Sequence, residues 1–180
     1  MNKAIFLDRD GTINVDKGHT YHIHDLEFIG GAIGGLKKMQ GFDYKLIIIT
    51  NQAGIAKGIH SEQDYFSFRN EMHKRLKERG ITITAEYFCP HHIEGTIPEY
   101  KTDCDCRKPK TGMLEQAAKE FELDLKLCWM IGDTPSDIQA GKNVGCKTIQ
   151  VMTGKEKIQC NDANFIANDL IESANYIFNL

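Results

Sequence analysis

Two aspartates two positions apart, Asp8 and Asp10, close the apolar run Ile5-Phe6-Leu7 and are followed at once by Gly11-Thr12. Residues two apart share a face while the chain is extended, so both carboxylates can converge on one small volume before the glycine turns the backbone away. Two close carboxylates repel unless they share a cation or a proton, which predicts bound Mg2+ or a split pair of pKa values. Taken alone, these residues also describe an ordinary turn after a strand. Other stretches supply what the chemistry still needs. Thr50-Asn51-Gln52 follows Leu46–Ile49, Arg107-Lys108 offers adjacent cations, and Gly132-Asp133-Thr134-Pro135-Ser136-Asp137 follows Leu127–Ile131. A carboxylate attacks a phosphate monoester poorly because the reacting dianion repels it, and Mg2+ held by Asp8 and Asp133, together with Lys108, offsets that charge. Thr50 and Lys108 suit the phosphoryl oxygens, Asn51 and Gln52 offer amides to phosphate or sugar hydroxyls, and Asp10 suits proton transfer to and from the leaving alcohol and water.

These groups must be delivered by buried strands. Short apolar runs ending abruptly in polar residues read as parallel strands, and in open α/β sheets ligands collect beyond the carboxyl ends of such strands. The spacing predicts an α/β fold with a parallel central sheet flanked by helices. A glycine-weakened helix is expected from Gly30 to about Gln40. Another begins at Ser61, with Glu62 and Asp64 in its first turn, Lys74, Arg75, Lys77 and Arg79 towards its end, and Tyr65, Phe68, Met72 and Leu76 in the core. A strand over Ile81–Phe88, a helix capped by Thr111, a helix from Pro135, a strand over Cys146–Val151 and a last strand and helix within Phe165–Ile177 complete the order. Asp137 reads equally as a helix-start carboxylate paired with Thr134 or as support for the metal. Ile13–Ile29 reads as a loop, and the alternation of His19, His22 and His24 there fits exposed chain better than a metal site.

Cys89-Pro90-His91 is followed, after twelve residues, by Cys104-Asp105-Cys106. Three thiolates and an imidazole match the four-coordinate preference of structural Zn2+, in a closed set with no place for a reacting water. The loop between them has almost no apolar periodicity and relies on the metal for its shape. Cys104 and Cys106 are too close in sequence to pair without strain, which sets the disulfide alternative aside. Spacing alone leaves His91 and His92 interchangeable. Cys128, Cys146 and Cys160 read as small buried or incidental residues.

At 180 residues the chain fits one domain, 1–180, with the zinc loop at 89–106. A formal charge of -3 gives no basic field for nucleic acid, and no run approaches the ~20 apolar residues of a membrane span. No secretory leader opens the chain, so a cytoplasmic protein with reduced cysteines is expected. The polar stretch Lys155–Asn164 carries no readable pattern.

The DRDGT opening resembles the signature of the haloacid dehalogenase (HAD) superfamily. With TNQAGIAKG, CPHH to CDCRKPK, and GDTPSD it is similar to the heptose 1,7-bisphosphate 7-phosphatases, and the related histidinol-phosphate phosphatases share most of the pattern. The resemblance implies a HAD-like Rossmannoid sheet without a large cap domain, acting on a small sugar phosphate in nucleotide-heptose synthesis; a monomer is expected. It implies Asp8 as nucleophile, Asp10 as general acid and base, and Thr50 and Lys108 as phosphoryl stabilisers. Mg2+ would be held by the Asp8 side chain, the Asp10 carbonyl and Asp133, and Zn2+ by Cys89, His91, Cys104 and Cys106. Asn51, Gln52, Arg107 and the loop Asp16-Lys17-Gly18-His19 would contact the rest of the substrate. Thr134 stands where some relatives carry lysine. Histidinol-phosphate hydrolysis and a catalytically silent zinc-stabilised binding module are the competing readings.

Overall fold

The computed structural model describes residues 2–179. Six strands, β1 (Ala4–Leu7), β2 (Lys45–Asn51), β3 (Ala85–Cys89), β4 (Trp129–Gly132), β5 (Lys147–Val151) and β6 (Phe165–Ala167), form one parallel sheet in the order β3-β2-β1-β4-β5-β6. Helices α1 (Ala32–Gly41), α2 (Ala53–Ala56), α3 (Glu62–Lys77), α4 (Gly112–Glu120), α5 (Pro135–Asn143) and α6 (Leu170–Phe178) surround it.

The centre of the sheet is covered on both faces, which is why β1 and β2 are almost uninterrupted apolar runs. Alternation along each strand divides their side chains. Ile5, Leu7 and Ile48 pack with Leu36 of α1, Phe68 and Met72 of α3 and Ala174 of α6. Phe6, Ile47 and Ile49 pack on the other face with Met113, Leu114 and Ala117 of α4 and Ala140 of α5. Gly35 has a reason beyond weakening α1: a Cβ there would run into the main chain of Leu170. That absence lets α1 lie directly against the start of α6.

Two expected strand starts move and one expected cap bonds differently. Ile81 and Ile83 are in the core, as their apolar character demands, but the Thr82 N–H donates to the Gln40 side chain (2.7 Å) and the ladder forms only over Ala85–Cys89. Leu125–Leu127 is a 3-10 turn started by Asp124, whose side chain accepts from Lys126 N–H, so β4 begins at Trp129 and not at Leu127. Thr111 stands at the amino end of α4, but its hydroxyl donates to Glu115 (2.7 Å) instead of accepting from a helix N–H. Ser61 does cap α3, in a reciprocal pair with Asp64.

β1 pairs with β2 on one side and β4 on the other, so the chain changes direction across the sheet at β1. Asp8 therefore emerges at the point where helices on opposite faces diverge and leave a crevice. The segment after it folds back on itself as an irregular ribbon, with Val15 N–H to Glu27 carbonyl and Ile29 N–H to Ile13 carbonyl bonds. The polar stretch near the carboxyl end is anchored by the buried Gln150. Its amide donates to the Ile158 carbonyl (2.8 Å) and to the Asp133 carbonyl (3.0 Å), while its oxygen accepts from Cys160 N–H (2.7 Å).

Candidate active site

A cavity of about 250 Å3 opens beyond the carboxyl ends of β1, β2 and β4, lined by Asp8, Asp10, Asp16, Thr50, Asn51, Arg107, Lys108, Asp133, Thr134, Ser136 and Asp137. Four separate stretches of sequence meet there. The Lys108 ammonium is at its centre, only 4% exposed, donating to Asp8 (2.7 Å) and to the Ile49 carbonyl (2.6 Å) and paired with Asp137 (2.5 Å). Burial opposes its charge, but Asp137 and Asp8 outweigh it and hold the amine protonated well above its usual range.

Lys108 is placed through its main chain. The Asn51 amide donates to the Lys108 carbonyl and accepts from the Lys108 N–H, both at 3.1 Å, which locks the end of β2 to a residue 57 positions away. Asn51 was expected to face substrate; here its side chain is taken up by this clamp. Gln52 likewise turns inward. Its amide donates to Thr50 (2.9 Å) and Asp10 (3.1 Å), orienting two groups of the site.

Asp10 is fixed by residues the sequence reading did not single out. Arg9 directs two N–H groups onto one carboxylate oxygen (2.7 and 3.1 Å), and Asn14 donates to the other (2.9 Å). The period of two supplies a signal for Arg9: placed between Asp8 and Asp10, its side chain leaves towards the core, from where its guanidinium still reaches the Asp10 carboxylate. There it is fully buried against the faces of Phe68 and Tyr65, at 4.7 and 5.7 Å from the ring centroids. Burial works against its charge, and Asp10 more than restores it.

Asp8, Asp133 and Asp137 bring carboxylate oxygens within 4.8 Å of one another. Burial raises the Asp8 carboxyl well above its ordinary range, with Asp137 and Asp133 adding to the effect against the pull of Lys108. Burial, then the Asp137 charge, pushes Asp133 up to about 7. Asp133 Oδ1 is buried without a hydrogen-bond partner, and a Cβ on Gly11 or Gly154 would collide with this carboxylate. A crowded, under-satisfied oxygen set of this kind fits a small divalent cation. Asp137 also accepts from the Thr134 hydroxyl (2.7 Å) and N–H (3.0 Å), so its two oxygens divide between capping α5 and holding Lys108. Both readings of Asp137 thus have a structural basis, with Lys108 as the group it supports directly.

The second cluster lies beside the first. Cys89, His91, Cys104 and Cys106 converge, with sulfur separations of 3.4 Å (Cys89–Cys104) and 3.2 Å (Cys106–Cys104), and His91 Nδ1 at 3.5 Å from Cys106 and 3.8 Å from Cys89. The edge of a tetrahedron with ~2.3 Å metal–sulfur bonds is about 3.8 Å, so the set is close to the right size for one metal ion. His92 is turned out, its Nδ1 accepting from Glu94 N–H (3.1 Å). Cys106 is the natural thiolate: hydrogen bonding from Cys89 lowers it to about 5. Arg107 and Lys108 leave this cluster directly into the cavity.

Of the expected substrate loop, Asp16 lines the cavity, whereas Lys17 reaches Asp25 (3.6 Å) and Glu27 (3.7 Å). Gly18 and His19 both have positive φ, and His19 lies against α2. His22 and His24 stack on each other at the surface.

A parallel sheet whose central strand delivers paired aspartates to a lysine and a third strand-end aspartate defines a HAD-type hydrolase. The chain matches the HAD-hydrolase-like family model over residues 105–173. It is 45% identical over 174 residues to the D-glycero-beta-D-manno-heptose-1,7-bisphosphate 7-phosphatase of Pasteurella multocida, covering 96% of this chain and 93% of the relative. It is 41% identical over 169 residues to a D-glycero-alpha-D-manno-heptose-1,7-bisphosphate 7-phosphatase of Photorhabdus laumondii, covering 93% and 92%. A D,D-heptose 1,7-bisphosphate phosphatase from B. bronchiseptica, crystallised with magnesium and phosphate, superposes with a TM-score of 0.87 at 26% identity over 99% of both chains. The chain belongs to the D-glycero-D-manno-heptose-1,7-bisphosphate 7-phosphatase family. These likenesses support that family and neither the histidinol-phosphate nor the silent-module reading.

Proposed function

We propose that this chain removes the 7-phosphate of a D-glycero-D-manno-heptose 1,7-bisphosphate through an aspartyl phosphate. The observation that carries the reading is the contact of Lys108 with Asp8 in a cavity that also holds Asp10, Thr50 and Asp133. Asp8 attacks phosphorus in line with the leaving sugar oxygen, and Lys108 moves its hydrogen bonding from the carboxylate towards the phosphoryl oxygens. The Thr50 hydroxyl, held by Gln52, stabilises the same oxygens. Asp10 gives a proton to the sugar oxygen, then takes one from the water that opens the acyl phosphate. Arg9, Asn14 and Gln52 keep Asp10 in one orientation through both half-reactions.

The Asp8 and Asp133 carboxylates, with the Asp10 carbonyl, would hold Mg2+, which when bound supplies positive charge against the phosphate dianion. Cys89, His91, Cys104 and Cys106 would hold structural Zn2+ and so fix the direction of Arg107 and Lys108. Arg107, Asp16 and the loop to His19 then face the part of the substrate beyond the reacting phosphate. The reading carries with it a monomeric cytoplasmic enzyme of nucleotide-heptose synthesis with reduced cysteines.

The test is phosphate release, with Mg2+, from each anomer of heptose 1,7-bisphosphate and from histidinol phosphate, with Asp8→Asn as control. The expected result is preference for a heptose bisphosphate, lost in the control. Preference for histidinol phosphate, or turnover that survives Asp8→Asn, refutes the reading.

A further inference from the structure

His60 lies between α2 and α3, outside the catalytic cavity, and the chemistry above does not use it. It is 6% exposed, its Nδ1 sits 3.3 Å from the Ser61 carbonyl, and its ring stacks on Tyr21 at 4.9 Å and 20°. Its other nitrogen, Nε2, is buried and has no partner. That nitrogen faces a particular place. A Cβ built on Gly54 would meet His60 Nε2 at 2.5 Å and His19 Nδ1 at 3.0 Å, so the two imidazoles converge over the bare Cα of Gly54. Gly54 belongs to the short helix directly after Thr50–Gln52, and His19 ends the loop that faces the non-reacting part of the substrate.

We propose that His60 is a positioning residue for the substrate loop, its buried Nε2 accepting from His19 Nδ1–H and leaving His19 Nε2 as an acceptor for a sugar hydroxyl. This rests on the functional reading given above. The tautomers follow from the contacts. A carbonyl accepts only, so His60 carries its proton on Nδ1, towards Ser61, and Nε2 is left with its lone pair. The bond to His19 is open in the free protein and closes as the loop settles on substrate, as active-site contacts commonly do. Burial lowers the basicity of both His60 and His19, which keeps the rings neutral as this arrangement requires. Tyr21, two residues beyond His19, stacks on the same ring, so His60 already holds the chain just after the loop.

The experiment compares His60→Phe and His60→Gln in steady-state turnover of heptose 1,7-bisphosphate. Phenylalanine keeps the ring against Tyr21 and removes the acceptor, and glutamine restores an acceptor. The expected result is a KM about tenfold higher for His60→Phe at nearly unchanged kcat, largely recovered in His60→Gln. The effect should vanish when His19 is already phenylalanine. Long-range 15N spectra of the unsubstituted protein report the ring protonation directly, with no substrate. His60 should be Nδ1–H, the form less favoured by free imidazole. An Nε2–H form of His60, or an unchanged KM in His60→Phe, overturns the proposal. Absence of heptose bisphosphate turnover by the unsubstituted enzyme refutes the functional reading instead, and the spectra then decide the His60 tautomer alone.

Discussion

Replacing Asp133 with asparagine should remove activity, yet in Mg2+-free buffer above neutral pH it should make the protein more stable. Burial, then Asp137, lifts the Asp133 carboxyl from 3.8 to about 7. The folded protein therefore binds this proton more tightly than the unfolded chain does. Stability falls as pH rises from about 4 through 7, and above 7 the loss is complete. The gap between those values corresponds to about 4 kcal/mol. Asparagine avoids that cost but leaves an amide atom at the position of the unpartnered Oδ1, at about 1–2 kcal/mol. The net gain at pH 8 is about 2–3 kcal/mol, or about 5–10 °C in Tm for a chain of this size. At pH 5 the folded Asp133 keeps its proton, the remaining gain is about 1–2 kcal/mol, and the amide cost cancels it. The assay is thermal unfolding at pH 5 and pH 8 without Mg2+, using no chelator that would strip the Cys/His cluster. Added Mg2+ should raise the Tm of the unsubstituted protein and leave Asp133→Asn almost unmoved. The reasoning fails if Asp133→Asn melts below the unsubstituted protein at pH 8, or if its advantage is the same at pH 5.

Three further changes probe the supports of the site. Arg9→Met strands Asp10 beside a buried hole and should cost about 3–5 kcal/mol in urea unfolding, and Arg9→Lys should recover stability in part while kcat stays at least tenfold down, because one ammonium cannot replace two fixed N–H donors. Asn51→Ala breaks both bonds to the Lys108 main chain and should lower kcat by about 10–100-fold with little change in KM, measured at saturating substrate. In protein loaded with Zn2+ at the Cys89–Cys106 loop, stripping the metal should expose the thiols to alkylation and reduce kcat, with Zn2+ restoring both and Mg2+ restoring neither.

Much of the site was legible because its residues end strands. A sharp change from apolar to polar or charged, at Leu7–Asp8, Ile49–Thr50 and Gly132–Asp133, marks both the ladder and the crevice beyond it. The Cys/His set was legible for a different reason, since few other structures call for that composition in so short a span. What sequence could not show was where polar side chains spend their hydrogen bonds. Asn51 and Gln52 have the right chemistry for a sugar, but their partners lie 57 and 42 residues away along the chain. Gln150 looks like one polar residue in an apolar strand, and only the fold reveals that it ties the polar carboxyl-terminal stretch to Asp133. At Ile81–Ile83 the apolar alternation correctly reported burial, but the first main-chain bond to β2 comes only at Thr84, whose N–H donates to the Leu46 carbonyl.

The placement of β1 between β2 and β4 also governs how the protein is made. Its second neighbour, Trp129–Ile131, is synthesised more than a hundred residues after Asp8, about 6–25 s later at ordinary elongation rates. Until then one edge of β1 is an unpaired row of backbone groups on an apolar strand, open to mispairing with other nascent chains. The Lys108 ammonium emerges before Asp137, so the two carboxylates that stabilise it are never both present during early synthesis. A chain stalled or truncated before β4 is consequently an aggregation hazard, a cost of building the site at the middle of the sheet from opposite ends of the polypeptide.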